Sequence, residues 1–267
     1  MSVNKIIGLY FSPRIRGNSF LILKHIERNT NRDIEIININ DKDIKECKAC
    51  YVCLEADCSI NDEFNKIIEK IINADLIIIA TPVYILGPNS VFKKFTDRFI
   101  SLFNKVEKIY NKPVILISIA GVKDVGEGYS PLALIAPFEA TGFKIKESIV
   151  LYGALPGEIL IEKDNLDKIE YIINLIKNNE NKKDIKENIC QYCSSRYFEI
   201  KNDSLKCLIC KSEYKLKEGE LLPIKKSEIF FGSIEKLKEH KRWLIGMKEK
   251  YLEKRKEIKE IIKKYTE

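Results

Sequence analysis

Histidine is almost missing from this chain: only His25 and His240 occur in 267 residues. Both fall on helical patterns, as surface or packing residues. No Ser-His-Asp set or paired carboxylates stand out, so hydrolytic chemistry is unsupported. No run of eighteen apolar residues occurs. The longest, around Leu76–Ala80 and Val114–Ala120, are strand-length, which argues against a membrane-spanning helix. The Lys-Ser/Thr of a P-loop and the G-x-G-x-x-G of a dinucleotide fold are missing after the first strand. Met1-Ser2-Val3-Asn4-Lys5 leads straight into that strand without a signal-peptide apolar region, so a cytoplasmic location is expected.

What is present reads as a soluble globular protein, with 45% hydrophobic and 32% charged residues. The net charge of +7 is uneven. Residues 181–267 hold 23 Lys/Arg against 15 Asp/Glu, whereas the first 180 are close to neutral. A basic tail suits nucleic acid or an acidic redox partner. A solvated lysine-rich helix is the plainer reading.

The first 150 residues alternate two periodicities. Strand-like apolar runs lie at Ile6–Phe11, Ile34–Ile39, Leu76–Thr81, Val114–Ile119 and Lys144–Leu151. Helical patterns lie near Ser19–Asn29, Asp62–Ile72, Asn89–Phe103, Pro131–Ala140 and Leu166–Lys177. Buried strands alternating with amphipathic helices predict an α/β fold, a doubly wound five-stranded parallel sheet in the order 2-1-3-4-5. That domain spans 1–180. A polar linker over Asn178–Lys183 leads to a cysteine-bearing unit at 187–225. A basic amphipathic helix at 226–267 follows, its apolar residues docking on the body or on a second subunit.

Three loops leave one edge of this sheet. After the first strand, Ser12-Pro13-Arg14-Ile15-Arg16-Gly17-Asn18-Ser19 precedes a helix. Free N–H groups and the positive helix end suit a phosphate there. Ser12, Asn18 and Ser19 can add donors, and Arg14 or Arg16 charge; an ordinary helix cap is the rival reading. After the third strand come Thr81, Pro82, Val83 and Tyr84, whose backbone can reach a flat ring system on which Tyr84 stacks, or which simply end the strand. Ala120 and Gly121 leave the fourth strand on the same edge, at the switch point where doubly wound sheets bind ligands.

Cys47, Cys50, Cys53 and Cys58 form C-x2-C-x2-C-x4-C inside one loop after the second strand. Four thiolates so close can wrap one inorganic centre. Structural zinc sites use two well-separated pairs, so the packed spacing favours a [4Fe–4S] cluster over zinc. The Ser12–Ser19 loop, this cysteine loop, Asp75 through Thr81-Pro82-Val83-Tyr84, and Lys94-Phe95-Thr96-Asp97-Arg98 together resemble the iron–sulfur flavoproteins. That group lies within the NADPH-dependent FMN reductase and flavodoxin-like assemblage, and the resemblance covers roughly residues 4–152. It implies FMN on the three loops and one [4Fe–4S] cluster on Cys47, Cys50, Cys53 and Cys58. It also implies a homodimer or tetramer that brings one subunit's cluster near another's flavin. Lys94–Arg98 is read as packing a helix or an interface.

Cys190-x2-Cys193 and Cys207-x2-Cys210 have zinc-ribbon spacing, with a hairpin between the pairs. Ser194 and Lys211 replace the glycines usual in a rubredoxin-type iron site, which favours zinc. The expected function is an FMN and [4Fe–4S] electron-transfer oxidoreductase exchanging electrons with a ferredoxin-like partner. The first alternative is an NAD(P)H-dependent flavin or quinone reductase. The second is a redox-sensing module binding nucleic acid or protein through the ribbon and basic tail, the reading with least support.

Overall fold

The computed structural model describes residues 5–178, 189–193, 195–229 and 231–266. Of the expected linker over Asn178–Lys183, Asn178 is the last residue of a helix, and residues 179–183 lie outside the described residues, as do 187–188 and Ser194.

Five parallel strands form the body: β1 (Ile6–Tyr10), β2 (Ile34–Asn38), β3 (Leu76–Tyr84), β5 (Pro113–Ala120) and β6 (Lys144–Tyr152). The two-residue β4 (Gly87–Pro88) folds back antiparallel on β3. The sheet runs β2-β1-β3-β5-β6, the expected order once β4 is set aside. Every residue of β1 is buried, which is why the strands read as continuous apolar runs.

The pleat sorts those residues between two cores. Ile7, Leu9 and Phe11 face α2 (Phe64–Ile72), α3 (Ser90–Thr96) and α5 (Ser130–Ala140). Ile6 and Tyr10 face α1 (Asn18–Thr30) and α6 (Lys163–Asn178). Each buried Ile or Phe adds about 1.5–3 kcal/mol of apolar burial. Gly8 lets α1 sit close: a Cβ there would lie 3.1 Å from both Leu23 Cδ1 and Ile34 Cγ2.

The expected helix over Asn89–Phe103 is divided. α3 ends at Thr96, and the chain winds on in tighter 3₁₀ turns through Asp97–Lys105 to the short α4 (Val106–Ile109). The Thr96 hydroxyl bonds back to the carbonyls of Phe92 (3.0 Å) and Lys93 (3.3 Å), competing with the helical ladder at this change. The tighter winding carries Arg98 inward, where it is 1% exposed.

The cysteine unit is a four-stranded antiparallel sheet of β7 (Phe198–Lys201), β8 (Ser204–Cys207), β9 (Glu213–Lys217) and β10 (Glu220–Lys225). Two helices follow, α7 (Ile234–Glu253) and α8 (Arg255–Thr266), parted at Lys254. Ile234, Leu237 and Leu244 of α7 pack with Leu54, Phe103 and Val106 of the body. α8 buries no residue.

Candidate functional site

Strand register aligns the predicted loops. Tyr10 pairs with Ala80, Thr81 with Ser118, and Ala120 with Tyr152, so the chain leaves β1, β3, β5 and β6 along one edge. The Phe11 N–H bonds the Ala80 carbonyl (3.1 Å), and the Gly153 N–H bonds that of Ala120 (2.8 Å).

The first loop closes through two turns: Ser12 Oγ accepts from the Arg14 N–H (3.1 Å), and the Arg14 carbonyl from the Gly17 N–H (3.1 Å). Gly17 caps α1 in extended conformation, with no side chain bonded across the helix end. The first turn therefore presents N–H groups toward the loop, as an anion site requires. A Cβ on Gly17 would lie 3.4 Å from Ser12 Oγ and 3.0 Å from Arg14 Cβ, inside this cradle. Ser12 and Ser19 are buried at its base, and Arg14 and Arg16 stand exposed at its rim. The Asn18 side chain is tied to the turn after β6. Its amide donates to the carbonyls of Gly153 (2.9 Å) and Leu155 (3.0 Å) and accepts from the Gly157 N–H (2.7 Å).

At the second loop Thr81 is buried, Pro82 and Val83 are half-buried at the mouth, and Tyr84 is exposed. Ile85 and Leu86 turn through positive φ (48° and 62°) into β4. The Leu86 carbonyl accepts from the Tyr129 N–H (2.8 Å), joining this turn to the loop that begins at Ala120 and the exposed Gly121. Asn89 caps α3 through the Phe92 N–H (3.1 Å), and its amide bonds the Phe11 carbonyl. Neither Tyr129 nor this tie of Asn89 belongs to the sequence-derived site set. The Gly126-Glu127-Gly128-Tyr129 run was the only local sign of a close approach.

The loop after β2 holds Cys47 and Cys58 half-buried, Cys50 exposed and Cys53 buried. Ala49 and Tyr51 adopt positive φ (48° and 59°), turning the loop tightly. Burial pushes the Cys53 thiol up to about 11, and its neighbours Cys58, Cys47 and Cys50 push the same way. Ionising all four side by side requires a cationic centre, and four cysteine sulfurs are the donor set an iron–sulfur cluster takes. Cys47 and Ala49 share a cleft of about 950 Å³ with Pro88, Val91 and Tyr129. The cysteine loop thus opens toward the turns that follow β3 and β5.

The second set is tighter. Cys190, Cys193, Cys207 and Cys210 are all buried, with their sulfurs within 4.8 Å of one another, and it is the one such metal-sized group among the described residues. A tetrahedral zinc with Zn–S bonds near 2.3 Å has sulfur–sulfur edges of about 3.8 Å. The Cys190–Cys210 and Cys193–Cys207 pairs stand at 3.3 and 3.5 Å, so the site fits a single ion. The Tyr214 hydroxyl accepts from the Gln191 N–H (3.0 Å), which directs its own proton to Cys190 Sγ (3.1 Å). Ser212 Oγ lies 3.3 Å from Cys210 Sγ and accepts from the Ser227 N–H (3.0 Å). Contacts of this kind orient thiolate ligands.

The family model described as NADPH-dependent FMN reductase matches residues 4–130. The match covers just under half of the chain. The same part of the chain is similar to curated iron–sulfur flavoproteins. One from Archaeoglobus fulgidus is 31% identical over 133 residues, 49% of this chain and 66% of the relative. A second from the same organism is 27% identical, over 58% of this chain and 71% of the relative. One from Methanosarcina thermophila is 31% identical, over 46% of this chain and 66% of the relative. The chain thus spans about two thirds of the length of these relatives. A solved structure described as a flavone reductase covers 98% of both chains with a TM-score of 0.72 at 15% identity, a likeness of fold.

Proposed function

We propose that this chain is a flavin-dependent oxidoreductase, binding FMN along the sheet edge and an iron–sulfur centre on Cys47, Cys50, Cys53 and Cys58. The observation that carries this is the shared cleft, in which Cys47 and Ala49 face Pro88 and Tyr129. When bound, the flavin exchanges two electrons and the iron–sulfur centre one, joining hydride-type to single-electron traffic.

The chain's own contribution is to bind and orient. The N–H groups of the Ser12–Gly17 loop and the first turn of α1 hold the phosphate, with Ser12 and Ser19 beneath and Arg14 and Arg16 supplying charge. Thr81, Pro82, Val83, Tyr84, Ala120 and Gly121 take the ring system. Cys190, Cys193, Cys207 and Cys210 hold one zinc ion that folds the C-terminal unit. The family-model match over residues 4–130 and the relatives' descriptions support this reading. [4Fe–4S] as the cluster type, a ferredoxin-like partner, a homodimer or tetramer and a cytoplasmic location belong to the same proposal. Among the described residues no helix is long and apolar enough to cross a membrane.

Anaerobic purification followed by a visible spectrum and FMN, iron, sulfide and zinc assays tests the assignments together. The expected result is one FMN, about four iron and four sulfide, and one zinc per chain. Flavin with two zinc and no sulfide would replace the cluster with a second structural ion. A second reading, direct reduction of the flavin by NADPH, is favoured by the family description. Flavin bleaching by NADPH without a protein donor separates it from dependence on a reduced one-electron carrier.

A further inference from the structure

A buried arginine reaches one of the cysteines in the first set. Arg98 is 1% exposed, in the 3₁₀ stretch after α3. One terminal nitrogen, Nη1, bonds the carboxylate of Asp62, whose side chain is 0% exposed, and lies 3.4 Å from the Lys45 carbonyl. The other, Nη2, donates to Cys58 Sγ at 3.2 Å. The guanidinium lies over the Phe64 ring, 4.0 Å from its centroid. Asp62 also accepts from the N–H groups of Lys45 (2.9 Å) and Phe64 (3.1 Å), so the acid is fixed on several sides. Burial alone would raise its carboxyl. The Arg98 bond and the two N–H bonds outweigh that and hold it below the ordinary value, as a carboxylate.

A buried ion pair is poor evidence for a stabilising role, because apolar residues of similar volume usually serve at least as well. Phe64, Phe95 and Phe99 already make this region apolar. The contact that an apolar replacement would lose is the one to Cys58. We propose that Arg98 is a positioning residue that fixes Cys58 and raises the electron affinity of the metal centre on the first cysteine set. This rests on the reading that the set holds an iron–sulfur centre. Adding one electron makes such a centre more negative. A fixed positive charge and an N–H···S bond at one ligand both stabilise the reduced form, and Asp62 offsets part of that charge while locking the guanidinium.

The signs are opposed, which separates this role from structural support. Arg98→Met lowers the midpoint potential and Asp62→Asn raises it. The double variant returns toward wild type, and Arg98→Lys, which keeps the charge without the fork, falls between. The expected size is about a tenfold change in the reduced-to-oxidised ratio at fixed ambient potential, about 59 mV for one electron. The experiment is mediated dithionite titration of anaerobically purified variants, followed by absorbance and by paramagnetic resonance of the reduced centre, with iron and sulfide counted in each. If Arg98→Met does not fold, Asp62→Asn and Arg98→Lys carry the test. Opposite shifts support the proposal. Full iron content with unmoved midpoints, or shifts of one sign, would overturn it alone. Wild-type protein without sulfide would overturn the cluster reading and the proposal together.

Discussion

The amide of Asn18 and the backbone of Gly157 are joined across 139 residues, with the Gly157 N–H donating to Asn18 Oδ1 at 2.7 Å. Two further bonds from Asn18 Nδ2, to Gly153 and Leu155, make this side chain a clamp between α1 and the turn after β6. Asn18→Ala removes all three, so a stability loss of about 1.5–4.5 kcal/mol is expected, since each is worth about 0.5–1.5 net. FMN affinity, read by quenching of flavin fluorescence, should fall with it, because the clamp holds the first turn of α1 in place. Weaker FMN binding at unchanged urea midpoint would mean instead that the Asn18 amide touches the ligand.

Gly128 sits at a φ of 50°, a region side chains rarely adopt, and a Cβ there would run into the Cβ and carbonyl of Leu86. That carbonyl is the acceptor for the Tyr129 N–H, so strain at residue 128 acts on the bond joining the loops after β3 and β5. Gly128→Ala should cost about 1–3 kcal/mol and weaken FMN binding. Gly219, also at positive φ (83°) but with open space around it, provides the control. Gly219→Ala should lower the melting temperature without touching flavin affinity. Equal affinity losses in both variants would show that strain, not the Leu86 contact, governs the site.

How much of this was legible in the sequence follows from where each signal resides. β1 and β3 could be read because both their faces are buried, which makes them continuous apolar runs with little else to imitate them. β3 continues past Thr81 to Tyr84, through Pro82, because the turn at Ile85 and Leu86 brings Gly87–Pro88 back onto it, a pairing that no local pattern marks. β9 and β10 were missed, although Glu218-Gly219, both at positive φ, form the tight turn between them. Both cysteine sets showed in their spacing. Asn18 as a clamp and Arg98 against Cys58 did not, since their partners lie 135–139 and 40 residues away. A polar residue looks the same in sequence whether it meets a ligand, a backbone or a thiol.

Trp243, the chain's one tryptophan, stacks on His240 at 5.4 Å and 17°, and His240 in turn lies 5.2 Å from Phe103 of the body. Burial lowers the His240 pKa below its ordinary 6.5. For a base depressed on folding, protonation favours the unfolded or undocked state. The stability it lends is therefore present above pH 6.5 and declines as pH falls through the folded value. Docking of α7 should loosen on acidification, seen as a change in Trp243 emission with a midpoint below 6.5 and as faster hydrogen exchange in α7. His240→Phe should abolish the step. A midpoint above 6.5 would contradict burial as the governing influence.

The C-terminal unit gives the sharpest expectation for metal removal. Its core is the four cysteines with Tyr214 and Leu221, and the apolar side chains around them, Phe198, Leu205, Ile209, Ile229 and Phe231, are only partly buried. An apolar cluster that small does not hold four short strands together unaided, so the ion supplies the folding free energy of the unit. A zinc chelator should therefore unfold β7 to β10, with loss of exchange protection from 198 to 225, while the parallel sheet stays protected. Tyr214→Phe offers a graded version, leaving the Gln191 N–H without its acceptor and Cys190 Sγ without a donor. A loss of about 1–3 kcal/mol in the unit and faster zinc release to a chromogenic chelator are expected. If the chelator removes one zinc per chain and the strands keep their protection, the four cysteines bind metal without needing it to fold. The packing around Tyr214 would then be the true core.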